Sequence, residues 1–196
     1  MKIFDTKSQA LRDFTPINAG RVGIYVCGPT VQSSAHIGHL RSALSYDVMT
    51  RWLSHLGLSV TLVRNVTDID DKVLEKAQEQ SQDWWALAYA NELLFASDFR
   101  QLGIQAPSHE PRATGHIPQM LKLIETLVER GHAYRALDGS ANVYFDTASW
   151  AGYGELTNQS LEDMESQETT PDKKQAQDFA QIDSQVLCGG ELLPIT

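Results

Sequence analysis

The stretch VGIYVCGPTVQSSAHIGHL, residues 22–40, carries the pattern that decides the fold. Its opening run is short, apolar and rich in β-formers, which predicts a buried strand. Apolar residues then recur at every fourth position and predict an amphipathic helix that ends before Gly57; they are Leu40, Leu44, Val48, Trp52 and Leu56. The run SVTLVRNV, residues 59–66, predicts a second strand. A strand–helix–strand order favours a parallel pair with a crossover helix, so we expect an α/β fold.

Three further helices are expected downstream. The segment TDIDDKVLEKA, residues 67–77, opens one of them, with Thr67 or Asp68 as its N-cap. Residues 83–102 form the next helix, and a fourth begins at Ile117. Glycines follow the last two helices and predict where they end.

Two non-helical segments separate or follow these helices. The two prolines of IQAPSHEPRAT, residues 104–114, predict a loop. The segment HAYRALDGSANVYFDT, residues 132–147, has the central turn signal of a β-hairpin. After about residue 157 the chain becomes polar and charged, which is typical of a mobile segment.

Composition limits the class of protein. A net charge of −9 argues against a module that binds nucleic acid through bulk positive charge. Two cysteines far apart in sequence, Cys27 and Cys188, are not the pattern of a secreted disulfide framework. No apolar run approaches the length of a membrane span, and the N-terminus lacks a signal-peptide core. We therefore expect a cytoplasmic protein without membrane contact.

His36, Gly38 and His39 stand where the first strand's corner meets the first helix. A helix N-terminus offers unpaired N–H groups and a positive dipole end, which together suit a phosphate. Two histidines there can donate further hydrogen bonds, and Gly38 allows a ligand to approach the backbone. The alternative is two ordinary surface histidines near a cap. Their position beyond the carboxyl end of a parallel strand favours a nucleotide site.

Three other features have alternative interpretations. Cys27 is a metal ligand or nucleophile, or else a small buried hydrophobic residue. Asp68, Asp70 and Asp71 bind Mg²⁺ or a substrate amino group, or else form a solvated first helical turn. Aromatic residues of the third helix form a ligand-binding box or, as expected from their spacing, pack in the core; they are Trp84, Trp85, Phe95 and Phe99.

Four separated segments occur in an order that resembles the catalytic domain of class I aminoacyl-tRNA synthetases, the cysteinyl-tRNA synthetases in particular. They are YVCGPTVQSSAHIGHLRSA (residues 25–43), RNVTDIDDKVL (64–74), EPRAT (110–114) and the pair GHAY and VYFD (131–134 and 143–146). The resemblance covers roughly residues 1–160 and fades through DKKQAQDFA, residues 172–180. It implies the first half of a Rossmann-like (HUP-type) parallel-sheet domain, residues 1–80, and a helical and hairpin connective insertion, residues 81–155. Residues 156–196 are expected to form a weakly ordered tail outside the family pattern.

The resemblance implies ATP-dependent activation of L-cysteine, with Mg²⁺, and transfer of the cysteinyl group to tRNA(Cys). His36 and His39 match catalytic histidines that stabilise the triphosphate. Pro29, Thr30 and Gly38 fall, with these histidines, in the matching ATP-binding stretch. Tyr25, Gly28 and Thr67 match positions around the substrate cysteine. Cys27 matches one of four zinc ligands.

The sequence also departs from the family. Ala35, Gln32 and Ser33 replace commoner residues of the histidine motif. The other zinc ligands, the lysine-rich loop and the tRNA-binding helical domain are not recognisable, and VLCGGELL around Cys188 does not match the zinc-bearing segment. We therefore expect an incomplete zinc site, weak ATP binding, no tRNA binding by this chain alone, and a monomer.

Three functions follow as hypotheses. The first is a cysteine–tRNA ligase in a truncated or frameshifted, inactive form. The second is a cysteine ligase that acts on an amino-sugar in thiol biosynthesis. The third is a non-catalytic truncated paralogue or binding module.

Overall fold

The computed structural model describes residues 1–159, 172–175 and 177–182. Cys188 and most of the predicted tail lie outside these residues. The chain divides into two compact units, one of residues 16–117 and the other of residues 1–15 and 118–196. In chain order the elements are β1 (Lys2–Asp5), β2 (Ala10–Asp13), β3 (Arg21–Val26), α1 (Ile37–His55), β4 (Ser59–Arg64), α2 (Asp71–Glu79), α3 (Trp84–Gln101), α4 (Ile117–Glu129), β5 (Ala133–Arg135), β6 (Val143–Phe145) and β7 (Phe179–Ile182).

The β3–α1–β4 unit confirms the predicted parallel pair. β3 and β4 are in register from Arg21 opposite Ser59 to Val26 opposite Arg64. α1 ends at His55, and Gly57 follows with φ +84°, a left-handed conformation that suits a glycine after a helix. This unit places the carboxyl ends of both strands at the same edge of the sheet.

The core-facing side of α1 differs from the prediction. Leu44, Val48 and Trp52 are exposed, whereas Ala43, Asp47 and Leu53 are buried. The periodic apolar stripe therefore marks a helix but not its buried face. Burial of Asp47 is offset because its carboxylate accepts hydrogen bonds from Arg51 Nε at 2.7 Å and from the Gln105 amide at 3.0 Å.

The segment predicted as a loop, residues 104–114, runs in part along the other edge of β4. The Arg64 amide donates to the His109 carbonyl at 3.1 Å, and the Val66 amide donates to the Pro111 carbonyl at 2.9 Å. The two prolines keep this segment irregular because they carry no N–H group. Their neighbours nevertheless pair with β4.

α2 and α3 complete the core of the first unit. Asp70, rather than Thr67 or Asp68, is the N-cap of α2, and its carboxylate accepts from the Lys72 amide at 2.9 Å. Phe95 and Phe99 are buried in the main apolar cluster, and Trp84 packs against it, as core packing predicts. Trp85 is 60% exposed and does not belong to the core.

The second unit contains the predicted β5–β6 hairpin, which is antiparallel. It also contains two features that the sequence did not indicate. One is the β1–β2 hairpin, and the other is β7, which pairs with β6. Before β7, the fully buried carboxylate of Asp178 accepts from Tyr134 Oη at 2.6 Å and from the Thr147 amide at 3.0 Å. Burial and the hydrogen bond to Asp178 raise the pKa of the Tyr134 phenol.

None of the described helices combines the length and apolar character needed to cross a lipid bilayer.

Candidate functional site

A cavity of about 320 Å³ lies where β3 ends. Predicted site residues form one part of its lining, namely Cys27, Gly28, Pro29, Thr30 and His39. Arg64, Lys72 and Phe99 contribute to the rest, together with residues of α1 that include Asp47. Ligands of α/β folds bind in this position, beyond the carboxyl ends of parallel strands. A second cavity, of about 340 Å³, shares Pro29 but no other predicted site residue.

His36 and His39 form a reciprocal cap at the start of α1. The Gly38 amide donates to Nδ1 of His36 at 3.1 Å, and the His36 amide donates to Nδ1 of His39 at 3.3 Å. The two imidazole rings stack with their centroids 3.7 Å apart. The two predicted catalytic side chains are therefore held together by local hydrogen bonds and ring stacking.

This arrangement determines the tautomer of each neutral ring. A backbone N–H can only donate, so both Nδ1 atoms act as acceptors and carry no proton. The proton of each ring is then on Nε2, which leaves one N–H donor per histidine. Both donors belong to a helix N-terminus, where the dipole and unpaired amides favour an anion.

Burial lowers the pKa of His39, and the neighbouring His36 lowers it further. The desolvation has a visible source, because the His39 ring packs edge-on against buried Phe95 with centroids 5.1 Å apart. His39 is thereby kept neutral over a wider pH range than a free histidine. In its neutral form His39 offers an Nε2–H donor rather than a full positive charge.

The structure gives a steric reason for glycine at residue 38 that differs from the expected approach of a ligand to the backbone. A Cβ at this position would lie 2.8 Å from Cε1 and 3.0 Å from Nδ1 of His36. The glycine therefore makes room for the folded-back His36 ring. Close approach of a ligand to the Gly38 backbone stays a prediction.

Cys27 follows β3 directly and is an exposed free cysteine. The interpretation as a small buried hydrophobic residue is therefore wrong. The next residue, Gly28, forms a tight corner: its amide donates to Oδ1 of Asn65 at 2.8 Å, and a Cβ on it would overlap the Asn65 carbonyl oxygen. This corner fixes the backbone on the carboxyl side of the thiol.

The remaining predicted site residues are close in sequence to residues that line the cavity but do not line it themselves. They are Tyr25, His36, Gly38 and Thr67. Tyr25 is 66% exposed, and strand alternation places it on the opposite face of β3 from Val26. Thr67 pairs with the Cys27–Val31 loop, since its amide donates to the Pro29 carbonyl at 3.0 Å.

The acidic run is divided between a buried residue and the predicted solvated first turn, because Asp70 caps α2 and exposed Asp71 lies in its first turn. Asp68 is buried, and its carboxylate accepts from the Thr114 amide at 3.0 Å and from the Thr114 hydroxyl. Asp70 caps α2 as described above. Asp68 is therefore a structural residue rather than part of a solvated turn, and its oxygens are occupied by Thr114.

The charged groups of the cavity lining are also largely engaged. Arg64 donates to Glu110 Oε1 from Nη2 at 2.7 Å, and its guanidinium lies 4.4 Å from the centroid of the Phe99 ring. Asp47 is paired with Arg51. Sequence analysis did not identify Asp47, Arg64 or Lys72 as lining residues, because no local motif marks them.

The described residues do not supply a complete zinc site. Among residues 1–159, 172–175 and 177–182, no group of three or more His, Cys, Asp and Glu side chains is placed to hold a metal ion. A structural zinc ion is held by four protein ligands, and the described residues offer the Cys27 thiol as the predicted one. The described residues therefore do not fit the complete four-ligand set.

The fold is that of class I aminoacyl-tRNA synthetases. It superimposes on a LeuRS of Agrobacterium radiobacter, solved in a ternary complex with tRNA and LeuAMS, with a TM-score of 0.53 at 22% identity, over 70% of this chain and 18% of that one. It also matches the Mycobacterium tuberculosis methionyl-tRNA synthetase in complex with methionyl-adenylate, with a TM-score of 0.52 at 20% identity, over 58% of this chain and 23% of that one.

Sequence comparison identifies the particular family. Residues 13–186 match the family described as the tRNA synthetases class I (C) catalytic domain, and the chain belongs to that family. Curated relatives are named cysteine–tRNA ligase. That of Leifsonia xyli subsp. xyli is 58% identical over 187 residues, which cover 92% of this chain and 39% of the relative. That of Paenarthrobacter aurescens is 48% identical over 198 residues, which cover 92% of this chain and 40% of the relative. The chain thus spans about two fifths of the length of these relatives.

Proposed function

We propose that this chain carries the histidine motif and the first part of the cysteine pocket of a cysteine–tRNA ligase. In the proposed reaction, a carboxylate oxygen of L-cysteine attacks the α-phosphorus of ATP. A P–O bond forms, the bond to pyrophosphate breaks, and cysteinyl-adenylate results. A terminal ribose hydroxyl of tRNA(Cys) then attacks the cysteinyl carbonyl, and AMP leaves. Family membership and the names of the relatives support this proposal.

The observation that carries the proposal is the reciprocal cap of His36 and His39. Its hydrogen bonds leave the two Nε2–H groups as donors at the N-terminus of α1. Preorganised donors of this kind stabilise negative charge that develops in a transition state. We assign the triphosphate of ATP to these two donors, with Pro29, Thr30 and Gly38 as neighbouring contacts.

The cysteine pocket is assigned to the adjoining corner. Cys27 and Gly28 line the cavity, and Thr67 pairs with the loop that follows them. Tyr25 is assigned to the same pocket from its match to the family motif alone, since it lies on the face of β3 opposite Val26, which lines the cavity. The Cys27 thiol would be the protein's first ligand to zinc if the metal binds.

The proposal also includes the domain boundaries, the metal ion that accompanies ATP, the oligomeric state and the cellular location. Residues 1–80 supply the first half of the catalytic domain and residues 81–155 a connective insertion. Mg²⁺ accompanies ATP, the chain is a monomer, and it acts in the cytoplasm, where tRNA(Cys) is available. The amino-sugar ligase and the non-catalytic module gain no support from the relatives compared.

Exchange of labelled pyrophosphate into ATP tests the proposal. Exchange that requires L-cysteine and disappears in the His36→Ala/His39→Ala protein supports cysteine activation at this site. Subsequent acceptance of the cysteinyl group by tRNA, rather than by an amino-sugar, separates the two enzymatic hypotheses. Absence of exchange together with no binding of ATP or L-cysteine would leave the non-catalytic hypothesis and overturn the proposal.

A further inference from the structure

Asn65 links the two loops that leave the carboxyl ends of β3 and β4. Its Oδ1 accepts from the Gly28 amide at 2.8 Å, and its Nδ2 donates to the Thr67 hydroxyl at 3.1 Å. One end of this side chain thus contacts the residue after Cys27, and the other contacts Thr67. Both neighbours belong to the proposed cysteine pocket.

The backbone around Asn65 makes the junction tight. The Thr67 amide donates to the Pro29 carbonyl at 3.0 Å, and the Val31 amide donates to the Thr67 carbonyl at 3.2 Å. The Asn65 carbonyl oxygen lies 1.5 Å from the position of a Cβ on Gly28. The side chain of Asn65 is therefore held between two backbone segments that are already in contact.

The chemistry of the junction suits an amide side chain. The Gly28 amide needs an acceptor and the Thr67 hydroxyl accepts from Nδ2 in this structure, and an amide supplies both partners from one planar group. An aspartate in the same place would keep the acceptor and lose the donor. An alanine would lose both.

The histidine cap does not depend on this junction. Its hydrogen bonds join His36, Gly38 and His39 to one another, and its ring contacts are between the histidines and Phe95. Loss of the Asn65 side chain should therefore alter the cysteine pocket while leaving the phosphate donors in place.

We infer that Asn65 is a positioning residue of the cysteine pocket, which fixes the Cys27–Gly28 corner against Thr67 so that both sides of the bound amino acid meet a rigid wall. This inference rests on the proposed function, because it takes the corner to be the place where L-cysteine binds. It goes beyond that proposal in assigning a role to a residue that does not line the cavity.

Two NMR measurements test the inference. Titrations with L-cysteine and, separately, with ATP give the two affinities, and hydrogen exchange on the same samples gives the protection of the Gly28 amide. The variants are Asn65→Ala and Asn65→Asp. Asn158→Ala is the matched control, because Asn158 is an asparagine of the other unit whose side chain also joins distant parts of the chain, its Nδ2 donating to the carbonyls of Thr6 and Lys7 at 3.0 and 3.1 Å. In Asn65→Ala we expect faster exchange of the Gly28 amide and about a tenfold loss of affinity for L-cysteine, with ATP affinity within about twofold of the original.

Asn65→Asp separates a positioning role from a merely structural one. It also provides the test if Asn65→Ala does not fold. It should keep the Gly28 amide protected and bind L-cysteine with intermediate affinity. Asn158→Ala should leave both affinities unchanged. Equal losses of L-cysteine and ATP affinity in Asn65→Ala, or unchanged L-cysteine affinity in both Asn65 variants, would overturn the inference alone. If the unaltered chain binds ATP but not L-cysteine, the proposed cysteine site itself fails, and the inference fails with it.

Discussion

The carbonyl oxygen of Asn65 lies 1.5 Å from the point that a Cβ on Gly28 would occupy. No real Cβ tolerates that approach, so any side chain at residue 28 must push the two loops apart. The Gly28 amide would move with its backbone, and its hydrogen bond to Asn65 Oδ1 would be lost. Gly28 is required by close packing of two backbones beside the Cys27 thiol.

Gly28→Ala should therefore lower the free energy of unfolding by about 3 kcal/mol, at the upper end of the usual cost of overpacking. Gly23→Ala is the matched control, because nothing lies within 4 Å of a Cβ on that residue of β3. The control should be neutral or slightly stabilising, since alanine loses less backbone entropy than glycine in a strand. Chemical denaturation measures both. Equal stability of the two variants would show that the corner relaxes freely.

The buried face of α1 makes a second prediction about stability. Leu53 is 1% exposed and Leu44, on the same helix, is 43% exposed. Leu53→Ala should cost about 3 kcal/mol through lost burial and the cavity left behind. Leu44→Ala should change stability by less than about 1 kcal/mol. Denaturation curves of the two variants would contradict the assigned face if Leu44→Ala proved the more damaging.

Sequence patterns were sufficient where a local rule decides the structure. The β3–α1–β4 crossover follows from two apolar runs flanking a periodic segment, and Gly57 and Gly103 stand in left-handed conformations after their helices. The histidine motif was located from its place between a strand and a helix. These features depend on residues close together in the chain.

Features that depend on distant partners were not predictable in the same way. The buried position of Asp47 needs Gln105, and the irregular segment 104–114 gains backbone hydrogen bonds to β4 and Val66 that its two prolines do not indicate. β7 depends on pairing with β6, and Asp178, just before it, accepts from Tyr134 and Thr147, which are far away in sequence. Asn65 has no motif of its own, and its role becomes visible only when Gly28 and Thr67 are seen on either side of it.

The lowered pKa of His39 gives the chain a pH dependence of known sign. The folded state holds the proton less tightly than the unfolded chain, where the pKa is near its usual value of 6.5. This contribution to stability is therefore fully present above that value and is lost as pH falls through 6.5 toward the lowered folded-state pKa. An NMR titration should show His39 titrating below 6.5.

The matching variant is His39→Gln, which removes the titrating group. Its free energy of unfolding should fall less steeply than that of the unaltered chain as pH is lowered from about 7.5 to about 5.5. Identical slopes, with a His39 pKa at or above 6.5, would contradict the desolvation by Phe95.

Zinc should bind this chain weakly. Cys27 is the predicted first ligand, and the described residues contain no cluster of three or more metal-ligating side chains around it or elsewhere. A single thiolate lacks most of the roughly 10 kcal/mol or more that a complete structural site provides. Selection of L-cysteine over L-serine should weaken as well, because the substrate thiol then has no soft metal partner.

Metal analysis of protein purified without a metal-binding tag measures this directly, with Cys27→Ser as the control. The expected zinc content is far below one ion per chain in both proteins. Near-stoichiometric zinc that disappears in Cys27→Ser would mean that the site is complete and that other ligands join the thiol.

Calorimetric titration with ATP tests the central claim most directly, namely that the reciprocal cap of His36 and His39 binds the triphosphate. The unaltered chain should bind ATP weakly, and His36→Ala/His39→Ala should abolish that binding because both Nε2–H donors are gone. His55→Ala, at the other end of α1, is the control and should bind as the unaltered chain does. Unchanged ATP affinity in the double variant would contradict the account.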